Sequence, residues 1–301
     1  MPRMHADELD VDAALVRRLL AAQFPHWAND PIRPVASTGT DNALFRLGDD
    51  RVARLPRIHW AAGQPLTEAR WLPRLAPQLP LPIPVPLALG EPALGYPFPW
   101  SVVRWLPGAT VKAGELAHPA RAAEDLGRFV AVLRRVEATG GPPPASPTTR
   151  GAPLAGRDDE VQQAISALGP QVNGAAVRAA WAADRDAPPW DGPPVWLHGD
   201  LLPGNLLFRD GHLSGVIDWG GTLAVGDPAA DLIPAWALFS GESRRAFRAA
   251  AGADDATWAR GRGWALSIAL IALPYYLHTF PAFVSLARRM VREVLADHAV
   301  S

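Results

Sequence analysis

Asp200, Asn205 and Asp218 are the residues whose types and spacing are best suited to chemistry. They lie in His198-Gly199-Asp200-Leu201-Leu202-Pro203-Gly204-Asn205 and in Val216-Ile217-Asp218-Trp219-Gly220. A carboxylate, a carboxamide and a second carboxylate form the set that phosphoryl transfer from a nucleotide requires. One aspartate orients the attacking hydroxyl and accepts its proton. The amide oxygen and the other aspartate hold the magnesium ions that carry the triphosphate. Each fragment alone has a plainer reading. His-Gly-Asp is a common tight turn, Asn205 is a turn residue, and Asp218 is a strand-end cap. The neighbouring residues favour the chemical reading of the three together. Residues 195–197 and 205–208 are apolar runs of strand type, Arg209-Asp210-Gly211-His212 is a hairpin turn, and residues 213–217 form the returning strand. A loop and hairpin of this kind bring Asp200, Asn205 and Asp218 to one end.

These residues reproduce the kinase signature of His-x-Asp, an Asn five residues after that Asp, and a metal-binding Asp beyond a short hairpin, with Trp219 in place of the usual Phe. With Trp196 at the head of the motif, and Gly226-Asp227-Pro228-Ala229-Ala230-Asp231-Leu232 downstream, the chain resembles the aminoglycoside phosphotransferase family from about Ser37 to about Asp297. The resemblance implies an α+β, two-lobed protein-kinase-like fold. Residues 1–106 would form a small β-rich nucleotide-binding lobe, and residues 107–301 a larger, mainly helical catalytic and acceptor-binding lobe. It further implies a magnesium-dependent O-phosphotransferase using ATP or GTP, with a small-molecule hydroxyl as acceptor. Relatives act on aminoglycosides, macrolides, choline, homoserine and other small alcohols. Antibiotic inactivation is therefore the leading role, and a metabolic kinase of an amino alcohol or sugar is the same chemistry on another acceptor. Asp200 would be the catalytic base, and Asn205 and Asp218 the magnesium ligands. His198, placed with Asp200 in the catalytic loop, is read as supporting that loop by hydrogen bonding. Asp227 and Asp231 are read as carboxylates that accept backbone N–H groups or cap the next helix.

The elements that must position this set are legible from periodicity. Residues 10–24 carry apolar residues at helical spacing. Residues 32–37, 43–47 and 51–55 read as short strands, 64–75 as a helix, and 87–89 and 101–106 as further strands. Pro107-Gly108 marks the break between lobes. Residues 121–138, 158–168 and 174–184 are expected to be helical, and 140–156 to be a Pro-, Gly-, Ser- and Thr-rich surface loop. After the hairpin, residues 229–239, 243–251, 255–277 and 281–298 read as helices.

On the nucleotide side, Gly39-Thr40-Asp41 occupies the place of a glycine-rich phosphate loop, although only one glycine of the full motif is present. Arg54 stands where the family usually presents a lysine to the phosphates. Arginine keeps the charge but changes reach and geometry. Lys112, the single lysine of the chain, lies beyond the proposed hinge. Glu68 is the only acidic residue between Asp50 and Glu91, which makes it the local candidate to hold Arg54. By resemblance, the Arg104 carbonyl and the Leu106 N–H would contact the base.

A net charge of -1 gives no electrostatic case for nucleic acid or an anionic membrane. With no cysteine, disulfides and thiolate metal sites are excluded. Residues 1–12 lack a signal-peptide core, and the longest apolar run, 264–277, is too short to span a bilayer. The expectation is a cytoplasmic protein. From Trp219 onward seven acids face eight arginines, so there is no bulk acidic excess to recognise a polycation. Trp264, Tyr275, Tyr276, Phe280 and Phe283 would suit a more apolar alcohol or, more simply, a helix core. Two rival readings are a catalytically silent kinase-like nucleotide-binding module and a hydrolase built on His198 and Asp200. The second lacks any Gly-x-Ser-x-Gly elbow.

Overall fold

The computed structural model describes residues 8–35 and 41–299. The chain divides into two compact units. Residues 1–108 and 214–221 form the first, and residues 109–213 and 222–301 the second. The sequence alone places a single boundary at 106/107; the structure returns residues 214–221, and with them Asp218, to the first unit.

The first unit is built on an antiparallel sheet of strands β1 (Ile32–Pro34), β2 (Asn42–Leu47), β3 (Arg51–Pro56), β4 (Pro86–Gly90) and β5 (Trp100–Arg104), in the order β1-β2-β3-β5-β4. Helix α1 (Ala13–Gln23) is capped by Asp12, whose side chain accepts from the Leu15 N–H. It buries Val16, Leu19 and Leu20 against Phe45, Leu47, Ala53, Leu55, Trp100 and Val102. Ala53 and Leu55 belong to that core, so strand alternation turns Arg54 to the opposite face of β3. Helix α2 (Gln64–Leu75) supplies the partner for that face. Its buried stripe is Gln64, Glu68, Trp71, Leu72 and Leu75, at helical spacing but polar at its N-terminal end.

The second unit is mainly helical: α3 (Pro119–Leu133), α4 (Asp158–Leu168), α5 (Gly174–Arg185), α6 (Pro234–Ala237), α7 (Gly241–Ala251), α8 (Asp255–Tyr276) and α9 (Pro281–His298). Among the described residues no helix is long and apolar enough to cross a membrane. Strand β6 (Val195–Leu197) leads into the Asp200 loop, and β7 (Leu206–Arg209) and β8 (His212–Val216) are the two strands of a hairpin. Its turn residues Asp210 and Gly211 both have positive φ (53 and 78), as a two-residue hairpin turn demands.

Helix α3 ends at Leu133, short of the expected 138, and β5 at Arg104, short of 106; two further differences are of kind. Residues 229–239 are not one helix. A 3-10 turn at Pro228–Leu232 gives way to the short α6, because Pro234 has no N–H to continue the ladder. Residues 224–226 form a ninth strand, β9 (Ala224–Gly226), which pairs antiparallel with β6. Three residues carry too little pattern to announce a strand. Gly226 has no side chain because the Gly151 backbone runs close beside it: a Cβ there would lie 2.3 Å from the Gly151 carbonyl oxygen.

Candidate active site

The first unit gathers Arg54, Glu68 and Asp218. Arg54 Nη1 donates to Glu68 Oε1 at 2.7 Å, and Nη2 donates to Asp218 Oδ1 at 3.0 Å. The two guanidinium nitrogens thus serve two carboxylates at once, as the planar fork of arginine allows. Glu68 Oε1 also accepts from the Gly220 N–H at 3.1 Å. Glu68 is 1% exposed and Arg54 8%. Burial pushes the Glu68 carboxyl up from its ordinary range, while Arg54 and the Gly220 N–H draw it partway back.

Asp218 sits in a turn at φ 66, a conformation that costs a non-glycine residue energy and that persists where surrounding contacts over-determine it. Those contacts are on both sides. Trp219 is fully buried and donates from Nε1 to the Val216 carbonyl at 3.0 Å, and Gly220 is pinned by Glu68. The turn leaves the Asp218 side chain 48% exposed, with one carboxylate oxygen on Arg54.

Asp41 accepts from Gln64 Nε2 at 3.4 Å, and its carbonyl accepts from the Arg57 N–H. Gly39 and Thr40 lie outside the described residues. Arg104 ends β5, paired in register with Arg51 of β3, and its side chain is exposed. Leu106 follows two residues on.

The second unit gathers His198, Asp200, Asn205, Asp227 and Asp231. Asp231 is fully buried and accepts from the His198 N–H at 2.9 Å and the Gly199 N–H at 2.7 Å, one on each carboxylate oxygen. Burial raises its pKa, with His198 and the two N–H donors opposing the shift. The loop is held from the other side by Thr222, whose hydroxyl donates to the His198 carbonyl at 2.7 Å. Gly199 has φ 79, and a Cβ there would approach the Thr222 carbonyl oxygen to 2.8 Å, so this position requires glycine.

His198 is fully buried, and its Nδ1 accepts from the Asp200 N–H at 3.1 Å. The ring orients the backbone of Asp200. Asn205 donates from Nδ2 to both the Asp200 carbonyl and Oδ2, each at 2.8 Å. Its amide N–H groups are thus committed to Asp200, which leaves Oδ1 to accept from or ligate another group. Asp227 accepts from the Ala229 N–H and pairs with Arg260 at 2.7 Å.

Sequence reasoning missed Arg150. It lies within the Pro- and Gly-rich loop before α4, and its Nη2 donates to Asp200 Oδ1 at 3.2 Å. No local pattern singles out one arginine fifty residues from its partner. Of the aromatic set, Trp264 is buried, whereas Tyr275 is 60% exposed.

Among the described residues no group of three or more His, Cys, Asp or Glu is placed to hold a metal. Magnesium takes one or two carboxylates together with substrate phosphates and water. Asp218 offers a half-exposed carboxylate and Asn205 an uncommitted amide oxygen, both hard ligands.

The sequence matches the phosphotransferase enzyme family over residues 31–264, and the chain belongs to that family. Comparison with curated proteins by sequence gives no match. Solved structures share the fold. The GDP complex of aminoglycoside 2'-phosphotransferase-IIIa is 19% identical, with a TM-score of 0.70 over 96% of this chain and 100% of that one. A macrolide 2'-phosphotransferase from Brachybacterium faecium, as the apoenzyme, is 24% identical, with a TM-score of 0.59 over 91% and 98% of the two chains. Macrolide 2'-phosphotransferase type I is 20% identical, with a TM-score of 0.63 over 94% and 98%.

Proposed function

We propose that the chain is a magnesium-dependent O-phosphotransferase that moves the γ-phosphoryl group of ATP or GTP to a hydroxyl of a small molecule. The way Asp200 is held carries the reading. His198 fixes its N–H, Asn205 and Arg150 fix one carboxylate oxygen each, and a quarter of the side chain stays open. Unlike the buried Asp231, Asp200 is held in one orientation while part of its carboxylate stays open, which suits a base that must meet a hydroxyl at one angle.

In this mechanism Asp200 orients the acceptor hydroxyl and takes its proton as the new O–P bond forms and the bond to the departing nucleoside diphosphate breaks. Bound magnesium would supply charge neutralisation on the phosphates, with Asn205 Oδ1 and the Asp218 carboxylate as its protein ligands. Arg54, held by Glu68, contacts phosphate oxygens, and the residues 39–41 contribute N–H groups. The Arg104 carbonyl and Leu106 N–H receive the base, a backbone mode that accepts adenine or guanine. This reading places the enzyme in the cytoplasm, where nucleotide and magnesium are supplied.

One observation bears on the acceptor. Of the seven acids beyond Trp219, six already have an arginine or a backbone N–H: Asp227 with Arg260, Asp231 with the loop, Asp254 with the Thr257 N–H, Asp255 with Arg248, and Glu293 and Asp297 with Arg244. Beyond Trp219 few carboxylates are left for ammonium groups. An acceptor with little positive charge, such as a macrolide or a metabolic alcohol, fits better than a polycationic aminoglycoside.

The test is a panel of aminoglycosides, macrolides and metabolic alcohols incubated with magnesium and ATP or GTP, with phosphorylated product read by mass spectrometry. Asp200→Asn should abolish transfer while nucleotide binding persists. Undiminished transfer by that variant would remove Asp200 from the mechanism. Nucleotide binding with no transfer to any acceptor would favour the silent module.

A further inference from the structure

The buried stripe of α2 is apolar at Trp71, Leu72 and Leu75 but begins with two polar side chains one turn apart, Gln64 and Glu68. Buried polar groups need partners to offset their desolvation. Glu68 finds Arg54 and the Gly220 N–H. Gln64, 7% exposed, accepts at Oε1 from Asn42 Nδ2 at 3.0 Å and donates from Nε2 to Asp41 Oδ2 at 3.4 Å. Its stem lies against the Asp218 turn. A Cβ added at Gly220 would fall 2.5 Å from Gln64 Cβ, and one at Gly221 would fall 3.2 Å from Nε2. Neither glycine has a positive φ, so this close approach, and not backbone conformation, is what a side chain would break.

One glutamine therefore touches Asp41 and Asn42 and also the turn that presents Asp218. We infer that Gln64 is a positioning residue that couples Asp41 and Asn42, on the proposed nucleotide side, to the metal-carboxylate turn, so that magnesium and nucleotide strengthen each other's binding. The inference rests on the phosphotransferase reading above. Its physical basis is shared ordering. A ligand that fixes one end of a tied pair lowers the conformational cost at the other, and the resulting coupling is reciprocal. Leucine or methionine would fill the same volume against Gly220. Only a side chain with both a donor and an acceptor serves Asn42 and Asp41 together.

The experiment is calorimetric titration of ATP with and without magnesium, using the whole chain and the variants Gln64→Met, Asn42→Ala and the double variant. The readout is the factor by which magnesium raises ATP affinity. In Gln64→Met that factor should fall about fivefold, the worth of one net hydrogen bond, with magnesium-free affinity little changed. Asn42→Ala, which removes one hydrogen bond at the strand and leaves α2 intact, should show part of the same loss. The double variant should be no worse than Gln64→Met. An unchanged factor in both single variants overturns the inference, as does an affinity loss that is equal with and without magnesium. Should Gln64→Met fail to fold, Asn42→Ala decides alone. Absence of magnesium-dependent binding of both ATP and GTP in the wild-type protein would instead overturn the phosphotransferase reading itself; if only GTP binds, the same titrations are made with GTP.

Discussion

Replacing Arg54 by methionine leaves Glu68 as a buried carboxylate without its cation, and the size of the effect follows from the structure. The pair is joined at 2.7 Å, with Glu68 1% exposed. At a charge separation of about 4 Å and an effective dielectric of about 20, the lost attraction is about 4 kcal/mol. Breaking buried pairs typically costs about 3–5 kcal/mol. Arg54→Met should therefore lower the unfolding free energy by about 4 kcal/mol. Glu68→Gln should cost less, because Arg54 keeps Asp218 at 3.0 Å. The double variant has no stranded charge, so the cycle should show an interaction of about 2–3 kcal/mol. The deficit of Arg54→Met also depends on pH. Burial raises the folded-state pKa of Glu68. A raised carboxyl favours the folded state fully below the unfolded value of about 4.3, and that contribution is lost as pH climbs through the folded value. Removing Arg54 removes the group that draws this pKa back, so the deficit should widen from about pH 4.3 toward neutrality. Urea unfolding followed by tryptophan fluorescence, for both single variants and the double at pH 5 and pH 7, measures each quantity. Strict additivity together with a pH-independent deficit would refute the reasoning.

Arg54→Lys should retain part of the activity, since one ammonium keeps the charge but cannot reproduce the two-nitrogen bridge; a turnover rate no better than that of Arg54→Met would contradict this. Asp218→Ala should abolish the magnesium dependence of nucleotide binding and Asn205→Ala should weaken it, as magnesium titrations will show; an unaltered dependence in both would remove them as ligands. Asp231→Asn offers one oxygen where two N–H groups, those of His198 and Gly199, need two. It should cost about 1–3 kcal/mol in denaturant unfolding and slow transfer through the displaced loop; wild-type stability with full turnover would argue against that role. Arg150→Gln should leave thermal stability unchanged and lower kcat by about five- to tenfold, the worth of a partly exposed charged hydrogen bond to Asp200; an unaffected kcat would make Arg150 a bystander.

What the sequence determined by itself was local. The bounds of α2 and α9 are readable from apolar spacing, because a helix that buries one face must repeat near 3.6 residues. The β7–β8 hairpin is readable from Asp210-Gly211, because that dipeptide tolerates the two positive φ angles of the turn. The Arg54–Glu68 ion pair is legible because no other acid lies between Asp50 and Glu91. The motif spacing sufficed to suggest the family before any geometry was known. Tertiary structure decided everything that depends on residues far apart in sequence. Arg150 meets Asp200 across fifty positions, Gly220 meets Glu68 across 152, and β9 exists only through its pairing with β6. The buried polar start of α2 reads as an ordinary amphipathic helix until Gly220 and Asn42 are seen against it. Periodicity and turn chemistry act over a few residues and are written in the order of the chain. Burial, ion pairing and close backbone approach act through space, where only the folded topology says which residues are neighbours.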